Sequence, residues 1–230
     1  MAESRSIGID LGGTTITAGI VDSSGNIIRR LTSPSHARQG AEAVLARIID
    51  CIEQLRKEDR NLTRIGVGSP GLIDTETGVV VGNAENFVGW NGTNIKARLK
   101  RETGCRIAVD NDANLAALGE SVFGAGKGRE VVICLTLGTG IGGGIIINNR
   151  VYHGKNNLGS EIGHMIIQAG GRLCTCGRSG CFEAYASATA IVGRTIEAAK
   201  NGAETTLART IKETPEKLTS RDVALAAADG

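Results

Sequence analysis

His164, Cys174, Cys176 and Cys181 lie within eighteen residues of glycine-rich chain, in the run GSEIGHMIIQAGGRLCTCGRSGCFEAY. One imidazole and three thiolates are the donor set of a Cys3His zinc site, whose closed tetrahedron holds shape instead of performing chemistry. The plainer alternatives are free thiols in a Cys-x-Cys pair and a histidine hydrogen-bonded in a core. A disulfide between Cys174 and Cys176 is a weak rival, because a bridge needs a Cα separation of about 4.4–6.8 Å and a fixed S–S torsion that neighbours so close in sequence accommodate poorly. Cys51, Cys105 and Cys134 sit in apolar or strand-like surroundings and are expected as buried free thiols. Such cysteine usage suits a reducing compartment.

The second chemical signal is glycine placement. Of the 33 glycines, two clusters follow apolar runs. The first is Asp10-Leu11-Gly12-Gly13-Thr14-Thr15, after Ser6–Ile9 and before Ile16–Val21. The second is Leu137-Gly138-Thr139-Gly140-Ile141-Gly142-Gly143-Gly144, after Val131–Thr136 and before Ile145–Ile147. Each reads as strand, glycine turn, strand, then a polar turn (Asp22–Asn26, Asn148–Arg150) and a third short strand, so the chain carries a near-repeat. Glycine and threonine at a hairpin tip aim N–H groups and hydroxyls at an anion, and two such loops suit one polyphosphate. Neither is a Rossmann fingerprint, since no helix opens at the glycines, nor a Walker loop, since no Gly-Lys-Ser/Thr occurs.

The elements that must position these residues follow from periodicity. Val44, Leu45, Ile48, Ile49, Ile52 and Leu55 share one face of a helix over 41–57, expected to pack on the first sheet. Arg64–Gly68 reads as a buried strand ending in Ser69-Pro70-Gly71, and Arg106–Val109 as another ending in Asp110-Asn111-Asp112. Ligands of open α/β sheets bind beyond the carboxyl ends of strands, which places Gly71, Asn111 and Asp112 in reach of a substrate. A helix follows over 113–122, and Asp112 reads equally as its N-cap. Glu161 and Glu183 read in isolation as solvated surface charges, but Glu161 precedes His164 by three residues and Glu183 follows Cys181 by two, so a metal-closed loop gathers both.

Composition excludes several classes. Lys+Arg 26 against Asp+Glu 24 leaves a net charge of +2 with no basic cluster, which argues against nucleic acid and anionic membranes as partners. MAESRSIGID has no apolar signal core and no run approaches a membrane span, so a cytoplasmic location is expected.

Asp10-Leu11-Gly12-Gly13-Thr14, Gly68 to Asp74, Asp110-Asn111-Asp112-Ala113-Asn114, Leu137 to Gly144, Glu161-Ile162-Gly163-His164, and Cys174-Thr175-Cys176-Gly177 through Gly180-Cys181-Phe182-Glu183 together resemble the successive motifs of the ROK family of sugar kinases. The resemblance runs from about Ile7 to Ser187. It implies an α/β, actin-like ATPase (ribonuclease H-like) fold of two domains closing over ATP and a hexose, with a zinc-bound loop. The division expected is a small N-terminal domain over 1–110 and the first part of a larger one over 111–230.

By the same resemblance Asp10, Gly12, Gly13, Thr14, Thr15, Gly138, Thr139 and Gly140 hold ATP with Mg2+ near Asp10. Asp112 is the catalytic base, and Gly71, Asn111, Asp112, Glu161, His164 and Glu183 meet the sugar. Structural Zn2+ takes His164, Cys174, Cys176 and Cys181, so His164 serves both sets through its two nitrogens. The implied reaction is ATP-dependent phosphorylation of a hexose 6-hydroxyl. Glucose is the first choice, with N-acetylmannosamine, fructose or allose as alternatives, and a homo-oligomer, dimer or tetramer, is expected of the complete protein. Family members run some eighty or more residues further, so the chain is expected to be incomplete and to expose apolar surface. A sugar-responsive regulator and a non-catalytic sugar binder are the readings from other classes.

Overall fold

Alternation of apolar side chains makes the first strands. In β1 (Ser6–Leu11) Ile7, Ile9 and Leu11 are buried, and in β2 (Thr15–Val21) Ile16, Ala18 and Ile20. Alternate residues of a strand share a face, so both strands present one continuous apolar surface. The computed structural model describes residues 4–84 and 86–229. Helix α1 (Ala41–Glu58) lies against this sheet and buries Val44, Leu45, Ile48, Cys51, Ile52 and Leu55, the face its 3.6-residue period dictates.

The main sheet has the order β3-β2-β1-β4-β7, with β3 (Ile27–Pro34), β4 (Arg64–Ser69) and β7 (Arg106–Asn111). The first three strands are an antiparallel meander, while β4 and β7 run parallel to β1. Between β4 and β7 the chain forms a hairpin of β5 (Leu72–Asp74) and β6 (Val79–Gly82), then α2 (Ile95–Thr103). The parallel register brings Asp10 beside Gly68 and Gly68 beside Asp110. Three strand ends therefore deliver their polar residues at one edge.

Trp90 is fully buried where the chain returns from this hairpin. Its Nε1–H donates to Ser69 Oγ at 3.0 Å, and its ring meets Phe87 with centroids 5.7 Å apart. Trp90→Ala is expected to cost about 3–5 kcal/mol, the range for deleting a buried aromatic, and to free Ser69 at the end of β4. Urea unfolding followed by circular dichroism measures it.

Helix α3 (Asp112–Val122) packs on β4 and β7. By internal packing the described chain falls into two compact units, 1–134 with 144–159, and 135–143 with 160–230. The helix opening at Asp112 belongs with the first unit, where its apolar residues Ala113 and Ala117 are buried.

The near-repeat appears as a second meander of order β10-β9-β8, built from β8 (Val131–Leu137), β9 (Ile141–Ile147) and β10 (Arg150–Val151). The sequence reading began the second strand only at Ile145. In the structure Gly142, Gly143 and Gly144 are already strand. Their smallness serves packing: a Cβ on Gly144 would overlap Ala117 of α3 and come within 2.8 Å of the Ala113 carbonyl, and one on Gly143 would meet Ile162 Cδ1 at 2.8 Å. Val131, Ile133, Leu135 and Leu137 of β8 are 42–69% exposed. Cys51 and Cys105 are buried as expected, but Cys134 is only half-buried because it lies on this open strand.

The second unit continues through α4 (Glu183–Ala186), α5 (Ala188–Lys200), α6 (Ala208–Glu213) and α7 (Ser220–Ala228), none of which has a buried residue. Among the described residues no helix is long and apolar enough to cross a membrane.

Candidate functional site

In the first unit the site grows from the ends of β1, β4 and β7. The turn between β1 and β2 closes with Gly12 N–H donating to Thr15 O at 2.9 Å. Ser35 fastens it from behind: its N–H donates to Thr14 O and its hydroxyl to Gly13 O, both at 2.9 Å. Because a peptide plane holds its C=O and N–H on opposite sides, tying the Gly13 carbonyl to Ser35 turns the Thr14 N–H the other way. The exposed Thr14 and Thr15 hydroxyls stand 3.4 Å apart beside it. Asp10 is exposed at the end of β1, a carboxylate fit to ligate a hard cation.

At the end of β7, Asn111 caps α3. Its side-chain oxygen accepts from Ala113 N–H (2.9 Å) and Asn114 N–H (3.3 Å), and its Nδ2 donates to Gly71 O at 3.1 Å. The cap is therefore Asn111 rather than Asp112. Asp112 stands in the first turn and accepts its neighbour's Ala113 N–H, at 2.8 Å, through Oδ1. Burial pushes its carboxyl above the ordinary carboxylate range, and the nearby Asp10 charge adds to the rise, against the lowering by the Ala113 N–H. A carboxylate at a strand end that solvent and substrate can reach, yet whose surroundings raise its proton affinity, has the character of a general base.

Asp110 was not singled out by sequence. It is nearly buried, and its Oδ1 accepts from Asn111 N–H (2.7 Å) and Asn114 Nδ2 (3.1 Å), while Oδ2 lies 2.8 Å from His153 Nε2. This network fixes the corner from which Asn111 and Asp112 project. Its sequence signal is its place at the head of Asp110-Asn111-Asp112, after the apolar Ile107-Ala108-Val109.

In the second unit the loop between β8 and β9 is fastened in the same manner as the first. Gly138 N–H donates to Gly140 O at 3.0 Å, Ala188 N–H donates to Gly138 O at 2.9 Å, and the Thr189 hydroxyl donates to Thr139 O. With the carbonyls of residues 138 and 139 held from behind, the Thr139 and Gly140 N–H groups turn away from the clamp. Each loop is thus a small nest of amides held by a backbone N–H and a hydroxyl.

The metal-type residues converge. The ligand atoms of His164, Cys174, Cys176 and Cys181 all lie within 4.8 Å of one another, with Cys176 Sγ to Cys181 Sγ at 3.6 Å and Cys174 Sγ to His164 Nδ1 at 3.7 Å. A tetrahedron with Zn–S bonds of about 2.3 Å has edges of about 3.7 Å, so the donor set fits that ion. Desolvation would raise the Cys176 thiol, but hydrogen bonds from Arg178 and from Cys174 and Cys181 draw it down to about 6; desolvation and the thiols of Cys176 and Cys174 push Cys181 up to about 11. Thiols this close cannot all ionise without a cation among them. His164 Nδ1 faces the sulfurs, and its Nε2 lies 3.9 Å from Glu161 Oε2. Glu183 Oε2 accepts from Ile141 N–H at 2.8 Å, and its Oε1 is reached by the Thr175 hydroxyl at 3.3 Å and Cys174 Sγ at 3.7 Å.

The structure therefore groups Asp10, Gly71, Asn111 and Asp112 in one unit, and Gly138–Gly140, Glu161, His164, Glu183 and the cysteines in the other. A six-motif chain with two amide nests, a raised carboxylate at a strand end and a Cys3His cluster defines a class, and comparison with known proteins supplies it. The chain matches the ROK family over residues 6–229 and belongs to that family, whose α/β fold is the actin-like, ribonuclease H-like one.

Within it, the chain is 40% identical to the glucokinase of Thermotoga maritima over 191 residues, 83% of this chain and 60% of that protein. It is 35% identical to the xylose repressor of Bacillus subtilis over 191 residues, 81% of this chain and 49% of that one. A ROK family glucokinase from Streptomyces griseus, solved in complex with glucose and AMPPNP, superposes with a TM-score of 0.80 at 33% identity, covering 99% of this chain and 72% of that one. The chain spans 57–64% of the length of the curated glucokinases it matches.

Proposed function

We propose that this chain carries the phosphate loops, the base and the sugar contacts of an ATP-dependent hexose kinase that phosphorylates the 6-hydroxyl, with glucose as first substrate. The observation that carries the reading is Asp112: a solvent-accessible carboxylate with raised proton affinity, left out of the helix cap, in the first turn of α3. Asp112 accepts the proton of the hydroxyl as its oxygen attacks the γ-phosphorus, while Asn111 and Asp110 hold its position. Phosphoryl transfer has a loose transition state, so placement and charge stabilisation do most of the work.

Gly71, Asn111, Glu161, His164 and Glu183 meet the sugar hydroxyls as hydrogen-bonding groups. The nests at Gly12–Thr15 and Gly138–Gly140 take the phosphates through N–H groups. Asp10 holds Mg2+, which supplies charge neutralisation on the transferred phosphoryl group when bound. Zn2+ on His164, Cys174, Cys176 and Cys181 is structural. Ligation through His164 Nδ1, the nitrogen that faces Cys174 Sγ, would leave Nε2 for the sugar. The setting is cytoplasmic, and the complete protein is a homo-oligomer.

The retained Asp10, Asp112 and both nests favour a kinase over the regulator that the repressor relative brings to mind. Purified chain with Mg-ATP and a panel of glucose, N-acetylmannosamine, fructose and allose is expected to release ADP with glucose in preference. Release with glucose and N-acetylmannosamine at equal kcat/KM would overturn the glucose assignment. Hexose binding, seen as a raised Tm, without ADP release from any sugar would replace the kinase with a sugar-binding protein.

A further inference from the structure

The second phosphate loop is not held by its own hairpin alone. Residues 138, 139 and 141 each make a hydrogen bond to the segment Glu183–Thr189, through Ala188 N–H to Gly138 O, the Thr189 hydroxyl to Thr139 O, and Ile141 N–H to Glu183 Oε2. That segment begins two residues after the cluster cysteine Cys181. Glu183 also touches the cluster loop itself, where the Thr175 hydroxyl donates to its Oε1. One carboxylate thus joins the cysteine loop at one oxygen to the phosphate loop at the other.

Gly140 supports the same joint from the opposite side. A Cβ there would run into Glu183 Oε2, so the loop lacks a side chain at the place where the carboxylate must lie. Ile141 is the first residue of β9, and its N–H orientation sets the direction in which the chain leaves the nest.

We propose that Glu183 is a positioning residue for the second phosphate loop, and that the metal cluster, by fixing residues 174–189, sets the loop that receives the nucleotide's phosphates. The inference deepens the kinase reading and rests on it for the identity of the loop's ligand. It gives the metal a role on the nucleotide side as well as on the sugar side, and it gives Glu183 a task that a sugar contact alone does not require.

The test measures amide hydrogen exchange and steady-state kinetics on the full chain. Glu183→Ala is expected to lose Ile141 N–H protection on the order of 10- to 100-fold, the scale of a hydrogen bond to a charged acceptor, and to raise KM for ATP. Glu183→Gln keeps a carbonyl oxygen for Ile141 and a polar end for Thr175, and is expected to restore most of the protection. Gly140→Ala, which evicts the carboxylate without removing it, is expected to match Glu183→Ala, and the double variant to be no worse than either alone. Metal chelation of the native chain is expected to expose the same amide.

Unchanged Ile141 protection in Glu183→Ala, with a rise confined to hexose KM, would overturn the proposal and leave Glu183 a sugar contact only. Should no hexose support ADP release, the kinase reading fails, and the exchange data still decide whether Glu183 and the metal hold the loop. Thr189→Val gives an independent loosening of the same loop if Glu183→Ala does not fold; normal Ile141 protection there and after chelation counts against the proposal.

Discussion

Asp112→Asn is expected to lower kcat by about 10²- to 10⁴-fold, the contribution of a general base, while leaving hexose KM nearly unchanged and raising the Tm. The two effects have one cause. Burial and the Asp10 charge raise the proton affinity of Asp112 in the folded chain, so its ionised form costs stability that the unfolded chain does not lose. The amide keeps an oxygen for Ala113 N–H and removes the charge.

The sign with pH follows. A carboxyl whose folded pKa is raised destabilises fully above that pKa, and the penalty fades as pH falls toward the unfolded value of about 3.9. The Tm advantage of Asp112→Asn is therefore largest at neutral pH and vanishes below about pH 4. The kcat of the native enzyme falls on its acid side with a midpoint above the ordinary carboxylate range. Calorimetry and a pH–rate profile check both, and a variant that loses stability along with turnover would make Asp112 a structural residue.

The elements near the site were legible wherever one periodicity dominated. Helix α1 came out with its buried face because six apolar residues repeat at helical spacing, and β1, β4 and β7 because apolar runs end in polar residues. The glycine run at 142–144 misled because glycine has two uses, turning a chain and letting another element approach, and sequence does not say which. In β9 it is approach. The Cys3His cluster was legible because all four residues fall in one stretch. The Asp110–His153 pair was not, since its partners stand 43 residues apart and His153 belongs to none of the spaced motifs. Nor did the cap residue follow from sequence: Asn111 and Asp112 both suit an N-cap, and only the backbone at the end of β7 decides between them.

Chelation of the metal is expected to unfold the second unit while leaving the first intact. The two units draw on different sources of stability. The first holds the large apolar cluster that runs from Ile7 to Val109. In the second, the buried hydrophobics among the described residues are Ile141, Cys174, Cys181 and Leu218, two of which belong to the Cys3His cluster, and its helices α4 to α7 bury none. A structural zinc in a small peptide contributes about 10–16 kcal/mol near neutral pH, as much as the net stability of about 5–15 kcal/mol typical of a domain.

Without a metal Cys176 and Cys181 are crowded thiols 3.6 Å apart, with no cation to hold them and His164 together. Trp90, the single tryptophan, lies in the first unit and reports on it alone. With chelator, helical circular dichroism is expected to melt early while Trp90 fluorescence keeps its transition, and one equivalent of zinc is released; Cys176→Ser is expected to behave as the chelated protein does. A single transition that chelator does not move, with no zinc released, would mean that the four residues hold the loop as thiols and imidazole without a metal.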